Sequence, residues 1–186
     1  FHEDTATSAA TDTLGRAAPG VSLQTDPDTS ELLIRTPYAM LGYLDMPEQT
    51  SKTLNQGWLR SGDLAAISAS GDVSFLGRLK ELINRAGNKV SPLEVESLFA
   101  RHPAVSAALA TGVADTRVGE AINLLIVQRP GEQLSADDLR EWAKPQTETY
   151  KLPDKIYFAD ALPLGRTGKA DRVALRRKIE SGEFVL

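Results

Sequence analysis

"GRLKELINRAGNKVSPLEVE", residues 77–96, is where the grammar of this chain changes. Ahead of it lie short apolar runs between turn residues, "LLIRT", "MLGYL", "WLR", "LAAIS" and "VSFLG", which ask for strands, with "ASGD" as a hairpin between the last two. Pro47 and Glu48 open one short helix among them. Inside the stretch, Ser91 stands as a helix cap, Pro92 suits the first helical position and Glu94 completes a capping box; Val95, Leu98 and Phe99 then share one face. His102 and Pro103 end that helix. Beyond it, strands alternate with helices. "AVSAALATGV" and "AINLLIVQ" are two buried strands joined across residues 115–120, followed by a turn at residues 129–132. Ser135 opens a second capped helix through Leu139 and Trp142. A short strand, "KIYFAD", and a last amphipathic helix from about Asp171, with Leu175 and Ile179 inward, complete an α+β module.

The charges divide at the same place. Residues 1–79 hold five Lys/Arg against ten Asp/Glu, and residues 80–186 hold sixteen against fifteen, with a formal net charge of -4 overall. Two units, 1–79 and 80–186, are therefore expected. Residues 1–30, rich in Thr, Ser, Ala, Asp, Gly and Pro, carry little periodicity and are expected to lack regular structure. The basic excess gathers at the end, in Arg166, Lys169, Arg172, Arg176, Arg177 and Lys178. No nucleic-acid-binding signature accompanies it, so no nucleic-acid partner is expected. Cysteine is absent and there are only two histidines, which excludes a disulfide framework, a thiolate nucleophile and a histidine-based metal site. No apolar run approaches the roughly 20 residues of a membrane span, and the acidic, polar first residues do not read as a signal peptide; no membrane anchor and a cytoplasmic setting are expected.

The stretch "ALPLGRTGKADR", residues 161–172, sets a lysine in a glycine-bearing loop ahead of a basic helix, a place to meet an anion. A phosphate loop does not account for it, because Pro163 and Ala170 stand where that motif has glycine and Ser/Thr. On the residues alone, Lys169 reads as a solvated lysine. Trp58 and Trp142 read as core residues rather than ligand contacts.

Five stretches in order, "ELLIRTPYAMLGYLDMPEQT", "GWLRSGDLA", "GRLKELINRAGNKVSPLEVE", "YKLPDKI" and "LPLGRTGKADR", together resemble the C-terminal part of the adenylate-forming superfamily, which includes acyl-CoA synthetases. The resemblance implies a small C-terminal lid domain, a three-stranded sheet with helices plus a hairpin, preceded by a β-rich remnant of a large N-terminal domain. The family's phosphate loop, acyl pocket and aromatic-Gly-x-Thr-Glu segment are not seen. The chain is accordingly expected to be a C-terminal piece of an acyl-CoA synthetase, missing its N-terminal domain and inactive alone.

The resemblance also implies chemistry. A carboxylic acid and ATP give an acyl-adenylate, and the thiol of CoA then gives a thioester; Mg²⁺ accompanies ATP, with no ligand for it assigned in this chain. Lys169 is similar to the lysine that bridges the attacking carboxylate and the α-phosphate, within a loop made flexible by Gly165 and Gly168. Asp63 resembles the aspartate that accepts from the ribose hydroxyls, and Arg78 the arginine on the other side of that ribose or its phosphate. Lys80 falls at the hinge of the lid. Gly87 is similar to the glycine beside the pantetheine arm, with Arg85 and Lys89 near the phosphates of CoA. Two further readings stay open: an adenylation domain loading a carrier protein, and a non-catalytic module that binds a partner. The absence of a carrier-attachment segment after "SGEFVL" leads to the expectation of free CoA as acceptor.

Overall fold

A turn with two left-handed residues, Gln56 and Gly57 (φ 51° and 81°), folds β3 (Leu54–Asn55) back on β4 (Trp58–Ile67), the central strand of the first unit. The computed structural model describes residues 13–184. It divides into two units, residues 1–80 and 81–186. In the first, β1 (Ser22–Thr25), β2 (Glu31–Arg35), β4 and β3 form an antiparallel sheet in that order, and β5 (Val73–Arg78) also pairs with β4. Leu32, Ala65 and Val73 are its small core, flanked by Leu23, Ile34 and Ile67.

Three expectations change in this unit. Part of the stretch expected to be irregular is a strand, because Leu23 finds apolar partners on this sheet; Thr13 also bridges to Ser74. The expectation for residues 1–12 lies outside the described residues. "WLR" and "LAAIS" are not separate strands but the two ends of β4, with "SGD" inside it. "MLGYL" is a loop. Its Gly42 packs so close to Thr50 of α1 (Pro47–Thr53) that a Cβ would lie 2.9 Å from the threonine methyl, and Thr50 Oγ1 accepts from Tyr43 N, so that loop is bound to the helix rather than to a sheet.

The second unit is built on a long hairpin. β8 (Val105–Asp115) and β9 (Gly119–Gln128) pair antiparallel over ten positions, and β10 (Lys155–Phe158) runs parallel to residues 123–126 of β9. A smaller hairpin, β6 (Ile83–Arg85) and β7 (Asn88–Val90), joins through one pairing, Arg85 with Gly119. The alternation of β9 sends Ile122, Leu124 and Ile126 to a core with Val95, Leu98 and Phe99 of α2 (Pro92–Ala100) and Leu139 and Ala143 of α3 (Ala136–Ala143). Leu125 belongs to a second core, with Leu109, Tyr157 and Leu175 of α4 (Arg172–Glu180). Helices on both faces explain why "LLIV", residues 124–127, is apolar throughout.

The helix starts follow their caps. Ser135 accepts from Asp138 N while the Asp138 carboxylate takes Ser135 N, closing a capping box. Asp171 caps α4 through the amides of Val173 and Ala174, both at 2.9 Å. At α2, Ser91 is the cap residue and Pro92 follows, but the box with Glu94 does not close, because Lys151 reaches the Glu94 carboxylate at 2.6 Å. Leu124 has no exposed surface. Leu124→Ala should cost about 2–5 kcal/mol, since a deleted core side chain loses both transfer energy and packing; urea denaturation followed by circular dichroism measures it.

Candidate active site

Asp63 owes its position to an irregularity in β4. Leu33 pairs with Arg60 and Glu31 with Leu64, so residues 61–63 face Leu32 alone and the two extra residues bulge from the ladder. Three contacts hold the bulge. Ser61 Oγ donates to Leu32 O at 2.7 Å and accepts from Asp63 N at 3.1 Å, and Gly62, at φ 75°, donates its N–H to Glu31 Oε1 at 2.9 Å. Glu31 is buried at 3% exposure, and Arg60 compensates it with an ion pair at 2.5 Å. Directly across the β4–β5 ladder stands Arg78, whose Nε lies 3.3 Å from Asp63 Oδ1. Asp63, Arg78 and Lys80 line one cleft of about 400 Å³ with Ser61, Gly62 and Leu79. A carboxylate, a guanidinium and an ammonium around such a space suit a ligand with hydroxyls and negative charge.

Gly87 lies in a two-residue turn between β6 and β7. Ala86 and Gly87 both have positive φ, 49° and 83°, and the space beside Gly87 is open, so a backbone edge is presented without a side chain. Lys89 is exposed on β7. Arg85 is engaged within the fold: its fork grips Asp154 through Nε at 3.0 Å and Nη2 at 2.7 Å. The same carboxylate accepts from Ile122 N at 2.8 Å, pinning β6 to the start of the run that pairs with β10.

Lys169 sits in a hairpin closed on itself. Leu164 and Ala170 form a bridge, Gly165 N donates to Lys169 O at 2.8 Å, Gly168 N to Gly165 O at 3.0 Å, and Asp171 N to Pro163 O at 2.9 Å. Only Gly168 needs to be glycine for its conformation, at φ 75°; at Gly165 a Cβ would meet nothing closer than 3.7 Å. Three backbone bonds thus replace the flexible loop expected from its two glycines. The Lys169 side chain is exposed, and among the described residues it makes no ion pair. Sequence reasoning missed the supporting carboxylates Glu31, Glu96 and Asp154. The signal available for Glu31 was an acid heading an apolar run, "ELLIR".

Residues 94–169 match the model of the AMP-binding enzyme C-terminal domain, a segment that ends on Lys169. The chain carries the C-terminal domain of the adenylate-forming enzymes. Curated relatives include a 3-[(3aS,4S,7aS)-7a-methyl-1,5-dioxo-octahydro-1H-inden-4-yl]propanoyl:CoA ligase from Rhodococcus jostii, 38% identical over 89% of this chain and 32% of that protein. A fatty acid–[acyl-carrier-protein] ligase from Streptomyces coeruleorubidus is 36% identical over 78% of this chain and 28% of its own length. The solved structure of ATP-bound MatB from Rhodopseudomonas palustris superposes with a TM-score of 0.83 at 30% identity, covering 91% of this chain and 36% of that one. The chain spans about a third of the length of the relatives it matches. The α+β fold expected of this domain is the one observed. Among the described residues there is no helix long and apolar enough to cross a membrane, and no group of three or more metal-ligating side chains.

Burial opposes charge on Asp154, but the Arg85 fork and the Ile122 N–H outweigh it, and its carboxyl titrates below the usual aspartate range. The stability this contributes is present above the unfolded aspartate pKa, about 3.9, and is lost as pH falls through the lower folded value. Asp154→Asn should therefore cost roughly 1–3 kcal/mol at pH 7 and flatten the acid limb below about pH 4. Urea denaturation at pH 7 and pH 3 reads both.

Proposed function

We propose that this chain is the lid-bearing part of an ATP-dependent acid–thiol ligase that makes an acyl-adenylate and then an acyl-CoA. The observation that carries this reading is the Lys169 hairpin: an exposed ammonium without an ion-pair partner among the described residues, on a backbone already closed, at the end of the segment that matches the adenylate-forming family. In the first step a carboxylate oxygen bonds to the α-phosphorus of ATP and the bond to pyrophosphate breaks. Two anions must touch for this, and a cation held between them lowers the barrier most where water is excluded. Lys169 is that cation. In the second step the CoA sulfur attacks the acyl carbon, its proton departs and AMP leaves.

The other residues divide the remaining work. Asp63 offers two acceptor oxygens to the vicinal hydroxyls of the ribose, and Arg78 holds the nucleotide from the facing strand. Lys80 is the hinge residue at which the second unit changes pose between the two steps. The Gly87 turn lets the pantetheine arm approach, with Lys89 beside the phosphates of CoA. Arg85, already gripped by Asp154, serves this edge by fixing β6 rather than by meeting CoA directly. Mg²⁺ travels with the phosphates of ATP and takes no ligand from this chain in the proposal.

A carrier protein in place of CoA is the second reading, favoured by the likeness to the fatty acid–[acyl-carrier-protein] ligase. Both acceptors offer a thiol on a pantetheine arm, so the acceptor is decided by assay with each.

The test uses the gene product that contains this chain together with the upstream region its relatives have, assayed for acid-dependent pyrophosphate release. Lys169→Ala should slow that release about 100-fold or more and spare thioester formation from a supplied acyl-adenylate. Equal loss of both steps would show that Lys169 is not the bridging cation of the first. Lys80→Pro should do the reverse, sparing adenylation and crippling thioester formation.

A further inference from the structure

We propose that Arg172 is a positioning residue for Lys169: its guanidinium clamps the start of α4, which follows directly on the Lys169 hairpin, to Glu81, the residue following Lys80, so that the loop and the segment leaving the hinge move as one body. The proposal rests on the functional reading above and adds to it the part that aims the lysine.

The geometry is a fork between two carboxylates. Arg172 Nη1 lies 3.2 Å from Glu81 Oε2, and Nη2 lies 2.7 Å from Glu96 Oε2 on α2. Glu96 is itself anchored, because its other oxygen accepts the Ala110 N–H of β8 at 2.7 Å. One guanidinium therefore ties together the start of the unit, helix α2, strand β8 and the head of α4. On the loop side the connection is short and stiff. Arg172 follows Asp171, whose side chain caps α4 and whose N–H closes the Lys169 hairpin onto Pro163.

The clamp is needed because α4 has little else to hold it. Leu175 is its only fully buried residue among those described, Ile179 is partly buried against the same core, and the opposite face is basic and solvated. Apolar contact is non-directional, so a helix seated on Leu175 and Ile179 alone is still free to roll about that seam. Charged, directional contacts remove that freedom. One turn beyond Arg172, Arg176 reaches Glu120 Oε1 at 3.5 Å, and Glu120 Oε2 accepts the Asn84 N–H of β6 at 2.8 Å, a second tie from α4 to the segment after Lys80. Arginine gives Glu81 and Glu96 a nitrogen each, in a fixed planar fork, where a lysine has a single nitrogen to share.

The chain contains no cysteine, so spin labels report without background. With labels at Asn84→Cys and Thr167→Cys, the distance distribution in the 186-residue chain should be narrow, and roughly twofold broader with Glu81→Gln or Arg172→Lys. A control pair at Arg117→Cys and Arg129→Cys should not change. An unaltered distribution at the first pair, or equal broadening at the control, overturns the clamp. In the full gene product, Arg172→Lys should lower the kcat of adenylation about tenfold, with the KM for ATP unchanged. Added to Lys169→Ala it should cause no further loss, because a residue acting through Lys169 has nothing left to position. Multiplying effects would show Arg172 acting independently and would overturn the proposal. Unimpaired adenylation in Lys169→Ala would instead sink the functional reading, and the label distances would still decide the clamp.

Discussion

The backbone ladder between β8 and β9 is the constraint on which the second unit depends, because every other element there is registered against one of those two strands or packed on their faces. Its ten paired positions fix which residues of β9 face α2 and α3 and which face α4. A slip of one residue would exchange the two faces and put Asn123 where Leu124 now lies. β10 takes its register from residues 123–126, and the β6–β7 hairpin touches the ladder at Gly119. At Gly112 a Cβ would come within 3.0 Å of Glu120 and Ile83, so even the spacing between ladder and hairpin is set by the absence of one carbon.

Within each unit the polar positions are set by carboxylates, most of them partly or wholly withdrawn from water. Glu31 holds the bulge that carries Asp63, Asp154 fixes Arg85, and Glu96 anchors Arg172. Each also accepts a backbone N–H, from Gly62, Ile122 and Ala110 respectively. A carboxylate so fixed costs desolvation, and the cation beside it offsets that cost only in one geometry. The result is directional order in places where apolar packing is thin. Burial leaves its mark on Glu96, whose carboxyl is pushed above the usual range despite the Ala110 N–H and Arg172.

Much of this was legible in the letters. The cap at Ser135, the helix start at Asp171, the apolar face of α2 and the long β8–β9 hairpin follow from local rules that the tertiary structure leaves intact. The stretches carrying Asp63, Arg78 and Lys169 were recognisable by resemblance, and the structure sets the first two in one cleft. Misreadings came where a distant residue displaced a local one. Lys151, 57 positions away, takes the Glu94 carboxylate from the expected capping box. "MLGYL" has strand composition, yet Thr50 binds its backbone and leaves Leu41 and Leu44 in solvent. No spacing rule foretells a partner that far along the chain.

The closed hairpin around Lys169 has a bearing on entropy. Since three backbone hydrogen bonds already close the hairpin from Pro163 to Asp171, an anion that captures the ammonium freezes little beyond the four-carbon stem. Immobilising one such stem costs up to ~2 kcal/mol, whereas ordering an open loop would add roughly 1–2 kcal/mol for each residue fixed. The tight backbone leaves the exposed lysine able to meet an anion at little cost in chain order.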